Sequence, residues 1–284
     1  MNIKYLSLFF SIFLLISCSS DKIPEDQQNK KKIISIKGSD TVLPIIESEI
    51  AKFKNENPSI SLSVVGGGTG DGIQALTEES TDLAMASRDL KDEEKVIFNQ
   101  KNKNIVKKMI AHDALMIVVH PSNPITKLTR EQIELIYTGK IDNWSKLGGL
   151  NIPIELYSRE STSGTYSYFQ EEVLNDNPYS KNMLSTFVTE AIVKSVAISK
   201  GAIGYIGIGY KTNKIKALSV SFDGGITYVS PSIETTKNKT YPISRPLYLM
   251  YEESNKEKVI EIIDFTLSEK GQKTISELGY IPLH

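Results

Sequence analysis

Residues 32–53 read KIISIKGSDTVLPIIESEIAKF, and this stretch decides the fold class. The isoleucine-rich run up to Gly38 predicts a strand. Val42, Leu43, Ile46, Ile50 and Phe53 then recur at spacings of three and four, which puts one apolar stripe on a helix. Strand, short polar turn and amphipathic helix are the repeating unit of an α/β protein.

The same grammar continues outward. ISLSVVGGG (60–68) predicts a strand running into a glycine turn, and Ile73–Leu76 predicts the opening of a short helix. TDLAMAS (81–87) predicts a third strand, followed by a charged helix from Leu90 to about Lys101. ALMIVVHP (114–121) is a continuous apolar run of the kind buried on both faces. In the second half, TREQIELIYTG reads as a helix stopped by Gly139, NIPIELYSR as a strand and TYSYFQEEVL as a helix. AIVKSVAISKG is helical, GAIGYIGIGY a glycine-rich strand and YPISRPLYLMY extended, and residues 255–279 predict one closing helix. Two α/β lobes joined by extended segments are the expected form.

Composition narrows the function. With 33 basic against 34 acidic residues in 284, the chain lacks the basic excess of a nucleic-acid binder. One cysteine, Cys18, excludes an internal disulfide and any zinc site needing two thiolates. Residues 1–17 carry Lys4 ahead of an apolar run that is too short to span a membrane and reads as an export signal. Leu15-Ile16-Ser17-Cys18 resembles a lipobox, so Cys18 is the expected lipid-bearing first residue of the exported chain. Residues 18–32, almost devoid of apolar side chains, are the expected flexible tether.

Small polar residues gather at four strand-to-helix junctions: Ser39-Asp40-Thr41, the turn containing Thr69 and Gly70, Ser87-Arg88-Asp89, and Arg159 through Ser163-Gly164-Thr165. The first turn of a helix leaves backbone N–H groups without partners inside the helix, and such ends hold anions. Capping alone would explain any single junction. Four together, two of them with an arginine fork suited to a tetrahedral oxyanion, point to one shared anion site.

KGSDTVLPI, SVVGGGTGDGIQAL, MASRDLKDEE, DALMIVVHPSNP, LTREQIELIYTGKIDNWSKLGG, RESTSGTYSYF and KGAIGYIGIGY occur in that order. Together they resemble the phosphate-binding lipoprotein of the bacterial phosphate-specific ABC transporter, over about residues 33–284. The resemblance implies a two-lobed periplasmic-binding-protein fold of type II, each lobe a mixed sheet flanked by helices, joined by a two-strand hinge. It implies lobe I at 33–117 and 247–284, lobe II at 118–246, and a hinge near Val118–His120 and Ser244–Leu247. Its ligand is inorganic phosphate, its partner a membrane permease, and no cofactor, metal or catalysis is expected of an exported, lipid-anchored monomer.

Carried over position by position, the implied ligand residues are Ser39, Asp40, Thr41, Thr69, Gly70, Ser87, Arg88, Arg159, Ser163, Gly164 and Thr165. One position departs from the family pattern. Where better-known members have Ala-Ser-Asp, this chain has Ala86-Ser87-Arg88. That aspartate accepts the ligand's P–OH proton and so separates phosphate from sulfate. The expectation here is a swap, with Asp40 as acceptor and Arg88 joining Arg159 as a charged donor; against it stands Arg88 merely pairing with Asp89 or Glu93.

Other chemistry is less well supported. His112, His120 and His284 stand at no metal-ligand spacing, Ser163 lacks the Gly-x-Ser-x-Gly elbow, and the glycine turn lacks a P-loop lysine. A binding protein for sulfate, molybdate or a phosphorylated metabolite, and a phosphohydrolase, are the alternatives to phosphate capture.

Overall fold

The computed structural model describes residues 32–284. The signal segment, Cys18 and almost all of the tether lie outside the described residues. The first half of the chain contains β1 (Lys32–Ser39), α1 (Leu43–Glu56), β2 (Ile60–Gly67), α2 (Thr69–Thr77), β3 (Leu83–Ala86), α3 (Asp92–Gln100) and β4 (Ile105–Val119). It continues through β5 (Lys127–Thr129), α4 (Arg130–Tyr137), β6 (Glu155–Arg159), α5 (Gly164–Glu172), β7 (Leu184–Thr186), α6 (Thr189–Ile198) and β8 (Ala202–Gly207). The remainder is β9 (Lys216–Ala217), β10 (Ser219–Ser221), α7 (Ile233–Lys237), β11 (Ser244–Glu252), α8 (Lys256–Leu267) and α9 (Glu269–Glu277).

The main sheet runs β2-β1-β3-β11-β4-β8-β6-β7, with β9 also paired to β4. Parallel pairs β1–β2 and β1–β3 build one half, and parallel pairs β6–β8 and β6–β7 the other. Antiparallel β4 and β11 stand between them. This is the two-lobed α/β architecture expected. β4 belongs to both halves: up to Ala114 it pairs with β11, and from Leu115 with β8. The exchange of partner therefore falls between Ala114 and Leu115. Val118 and Val119 lie inside the second half, paired with both β8 and β9. Every residue from Ala114 to Val119 is buried, as the apolar run predicted.

Two helix readings change. The glycine turn is itself helical: α2 starts at Thr69, with Gly68 as N-cap and its N–H donating to Asp71 Oδ2 at 2.7 Å. The closing helix is two, because Ser268 leaves helical conformation and its hydroxyl caps α9 by accepting from Gly271 N–H. Among the described residues no helix is long and apolar enough to cross a membrane.

An aromatic cluster fixes α5. Phe169 stacks on Tyr205 of β8 at 3.8 Å between ring centroids and meets Tyr137 of α4 edge-on at 4.9 Å. Such contacts contribute about 1 kcal/mol each beyond the area they bury.

Candidate functional site

The loop after β1 is buried at Ser39, Asp40 and Thr41, and two phenols from distant segments secure its carbonyls. Tyr210 donates to Asp40 O at 2.6 Å, and Tyr280 to Thr41 O at 2.7 Å. Burial first, then the Asp40 carboxylate, pushes the Tyr210 phenol well above its ordinary range, so it remains a donor.

The N-termini of α2 and α5 meet beside this loop. Thr69 and Gly164 are the first residues of the two helices. Thr69 Oγ1 accepts from Ser87 N–H at 3.0 Å and lies 3.3 Å from Ser87 Oγ. A Cβ on Gly164 would come within 2.4 Å of Thr69 Oγ1 and 2.6 Å of Ser87 Oγ, so only glycine permits this approach. At Gly68 a Cβ would fall 2.4 Å from Thr162 O, for the same reason. Thr41 Oγ1 and Thr165 Oγ1 are 3.1 Å apart. Ser39, Thr41, Thr69, Ser87, Ser163 and Thr165 thus place buried hydroxyls around two convergent helix N-termini, where the positive ends of both macrodipoles add. The arrangement suits a small, multiply hydrogen-bonding anion.

Two of the predicted residues have other partners. Gly70 N–H donates to Thr162 O at 2.9 Å, joining the halves instead of facing a ligand. Ser163 caps α5, its hydroxyl accepting from Thr165 N–H at 3.1 Å.

The predicted arginines behave differently from expectation. Arg88 does not join Arg159. Its guanidinium is clamped by Glu94, at 2.8 and 2.7 Å, and by Asp89 O at 2.7 Å. Arg88 pairs locally, but buried and with Glu94 in place of Asp89 or Glu93, because Glu94 also closes the first turn of α3 through Lys91 N–H. Arg159 is at the site but fully engaged. Nη1 donates to Asp40 Oδ2 at 3.1 Å and Thr189 Oγ1 at 2.9 Å. Nη2 reaches Phe187 O at 2.5 Å and Gly67 O at 3.4 Å, and Nε reaches Thr186 O at 3.3 Å. All five of its N–H donors have acceptors. Burial pulls the Arg159 pKa below its ordinary value, opposed chiefly by Asp40.

Asp40 is correspondingly occupied at one carboxylate oxygen. Oδ2 accepts from Thr189 N–H at 2.9 Å and Thr189 Oγ1 at 2.7 Å as well as from Arg159. Residues of β1–α1 and β6–α6, from opposite halves, are tied by this one oxygen. Of the expected swap the Arg88 half does not form, and Asp40 holds Arg159 through Oδ2.

Sequence reasoning missed Arg245. It is buried on β11, directly opposite Asp113 of β4, and donates to Asp113 Oδ2 through Nε at 3.2 Å and Nη2 at 3.0 Å. Nη2 also reaches Thr165 Oγ1 at 2.9 Å and Thr41 Oγ1 at 3.3 Å. Asp113 Oδ1 accepts from Ile208 N–H at 3.0 Å. Burial pushes the Asp113 carboxyl up, and the Arg245 and Ile208 donors act in the opposite sense. A signal existed: Asp113 and Arg245 are lone charges inside apolar strand sequences, and lone buried charges need partners.

In this two-lobed α/β fold, two helix N-termini, one from each half, thus meet among buried hydroxyls. Comparison with known proteins agrees. Residues 24–270 match the PBP superfamily domain. The phosphate-binding protein PstS of Pseudomonas aeruginosa is 32% identical over 267 residues, covering 88% of this chain and 83% of that protein. PstS of Borreliella burgdorferi is 30% identical over 289 residues, covering 98% of both. A crystal structure of a putative phosphate ABC transporter substrate-binding protein with bound phosphate, from Clostridium perfringens, superposes with a TM-score of 0.80 at 36% identity, covering 89% of this chain and all of that one. The chain belongs to the PBP superfamily and, within it, to the family of the phosphate-binding protein PstS.

Proposed function

We propose that this chain captures inorganic phosphate outside the cytoplasm and delivers it to the permease of an ABC transporter. The convergence of the α2 and α5 N-termini at Thr69 and Gly164, one from each half, carries the reading. Ser39, Thr41, Thr69, Ser87, Ser163, Gly164 and Thr165 replace the water around the dehydrated anion. A buried site of this kind rejects a ligand that leaves its donors unpaired.

Binding proceeds by hinge closure. One lobe is built on β1–β3 and α8–α9, the other on β6–β8, and the pivot lies where β4 exchanges β11 for β8, at Ala114–Leu115. Closure brings together the contacts that cross the halves: Asp40–Arg159, Asp40–Thr189 and Gly70–Thr162. Asp40 and Arg159 act as a latch. The protein binds without catalysis, and the hydroxyl of Ser163 serves as the cap of α5. Cys18 carries the lipid, residues 18–32 form the tether, and the protein works as a monomer anchored on the extracytoplasmic face.

Calorimetric titration of the delipidated protein with phosphate, sulfate and arsenate tests this. One phosphate per chain, no sulfate binding under the same conditions and a smaller radius of gyration with saturating phosphate are expected. Equal affinity for sulfate, or an unchanged radius with phosphate bound, would remove the reading.

A further inference from the structure

We infer that the cationic contact to the bound anion is made by Arg245, on the strand at the pivot, and that Arg159 serves the latch alone. This rests on the phosphate reading above. Donor accounting separates the two residues. Every N–H of Arg159 is bonded within the protein, whereas Nη1 of Arg245 is buried and has no partner among the described residues. An unpaired buried donor of a charged group is unfavourable, and at Arg245, beside the hydroxyls of Thr41 and Thr165, a bound anion would complete it.

The planarity of the guanidinium fixes the direction of Nη1. The edge formed by Nε and Nη2 is bonded to Asp113. The other edge, formed by Nη2 and Nη1, presents parallel N–H bonds, and its Nη2 half already meets Thr41 and Thr165. Nη1 therefore faces the same side as those two hydroxyls, which belong to the loop after β1 in one half and the first turn of α5 in the other. The Tyr168 ring, 5.5 Å from Cζ, supports the guanidinium, and Tyr168 OH is tied to Ser244 O at 2.7 Å.

Position gives this contact a second consequence. Arg245 pairs with Asp113 one residue before β4 changes partner, and Asp113 also holds Ile208 N–H just after β8. An anion bonded to Arg245 thus bonds to the pivot itself and to both halves at once. Affinity and closure are coupled through one side chain.

The test compares Arg245→Lys, which keeps the charge and loses the fork, with the intact chain. A fold check by thermal melting and a phosphate titration are run on both. At least a fivefold loss of phosphate affinity in the folded variant supports the assignment; a smaller loss overturns it. Should the variant fail to fold, arginine side-chain ¹⁵N spectra of the intact protein decide. Phosphate is expected to shift the Arg245 Nη resonances and slow their exchange, and unmoved Arg245 resonances at saturation overturn the proposal. Failure of the intact chain to bind phosphate is a different result: it removes the functional reading, and this inference with it.

Discussion

Arg159 and Arg245 are both buried, each is bonded to an aspartate, and they come from elements that meet at the same site. Their difference lies in where the remaining donors go. Arg159 bonds three backbone carbonyls and a threonine besides Asp40, so it knits β6, α6 and the β2 end together. Arg245 bonds two hydroxyls besides Asp113, and its Nη1 has no partner among the described residues. Burial and charge alone do not separate Arg159 from Arg245; a complete count of donors does.

The largest effect should come from removing one partner of the pivot pair. Asp113→Ala leaves the Arg245 cation buried without its carboxylate and is expected to cost about 3–5 kcal/mol of stability, read from the midpoint of urea unfolding. A loss below 1 kcal/mol would mean that the guanidinium can leave its pocket, which would weaken the contrast with Arg159.

A third buried carboxylate shows what happens without an arginine. Glu49 of α1 is fully buried, accepts from Thr266 Oγ1 at 2.6 Å, and has no partner for Oε1 among the described residues. Burial raises its pKa to about 7, against the opposing Thr266 bond and Lys52 charge. The folded pKa lies above the unfolded one, so the folded state binds the extra proton. The group therefore favours folding at low pH, and that contribution is lost as pH rises from about 4.5 to about 7. Glu49→Gln should match the intact chain near pH 4 and exceed it at pH 8 by up to about 3 kcal/mol. Parallel stability curves for the two chains would show that Glu49 titrates alike in the folded and unfolded states.

The smallest expected change is at the latch. Asp40→Asn keeps an acceptor for Arg159 and Thr189 but removes the charge, so phosphate affinity should fall about tenfold, the effect of one charge-assisted bond of roughly 1.4 kcal/mol. The phosphate-to-sulfate ratio should stay constant. A ratio that collapses toward one would restore Asp40 as the acceptor of the ligand's proton.

Much of the fold was legible because its periods are local. The stripe of Val42, Leu43, Ile46, Ile50 and Phe53, and the apolar run from Ala114 to Val119, announce a helix and a two-face-buried strand without reference to anything distant. The break at Ser268 was not, since a serine can continue a helix or cap one and packing makes the choice. Within the site, Ser39, Thr41, Thr69, Ser87 and Ser163 through Thr165 were recognisable as small polar residues at helix starts. Arg88 was misplaced because sequence order supplies two candidate uses for its guanidinium, and only the position of α3 against the loop favours Glu94.

Side-chain periodicity and capping chemistry act over a few residues, so most strands and helices, and the small polar residues at helix starts, are legible in the chain alone. Which arginine has all its donors taken and which does not emerges only in three dimensions. Asp40 lies 119 residues from Arg159, and Asp113 lies 132 from Arg245. A guanidinium's free N–H groups can be counted only after every neighbour from elsewhere in the chain has taken its place.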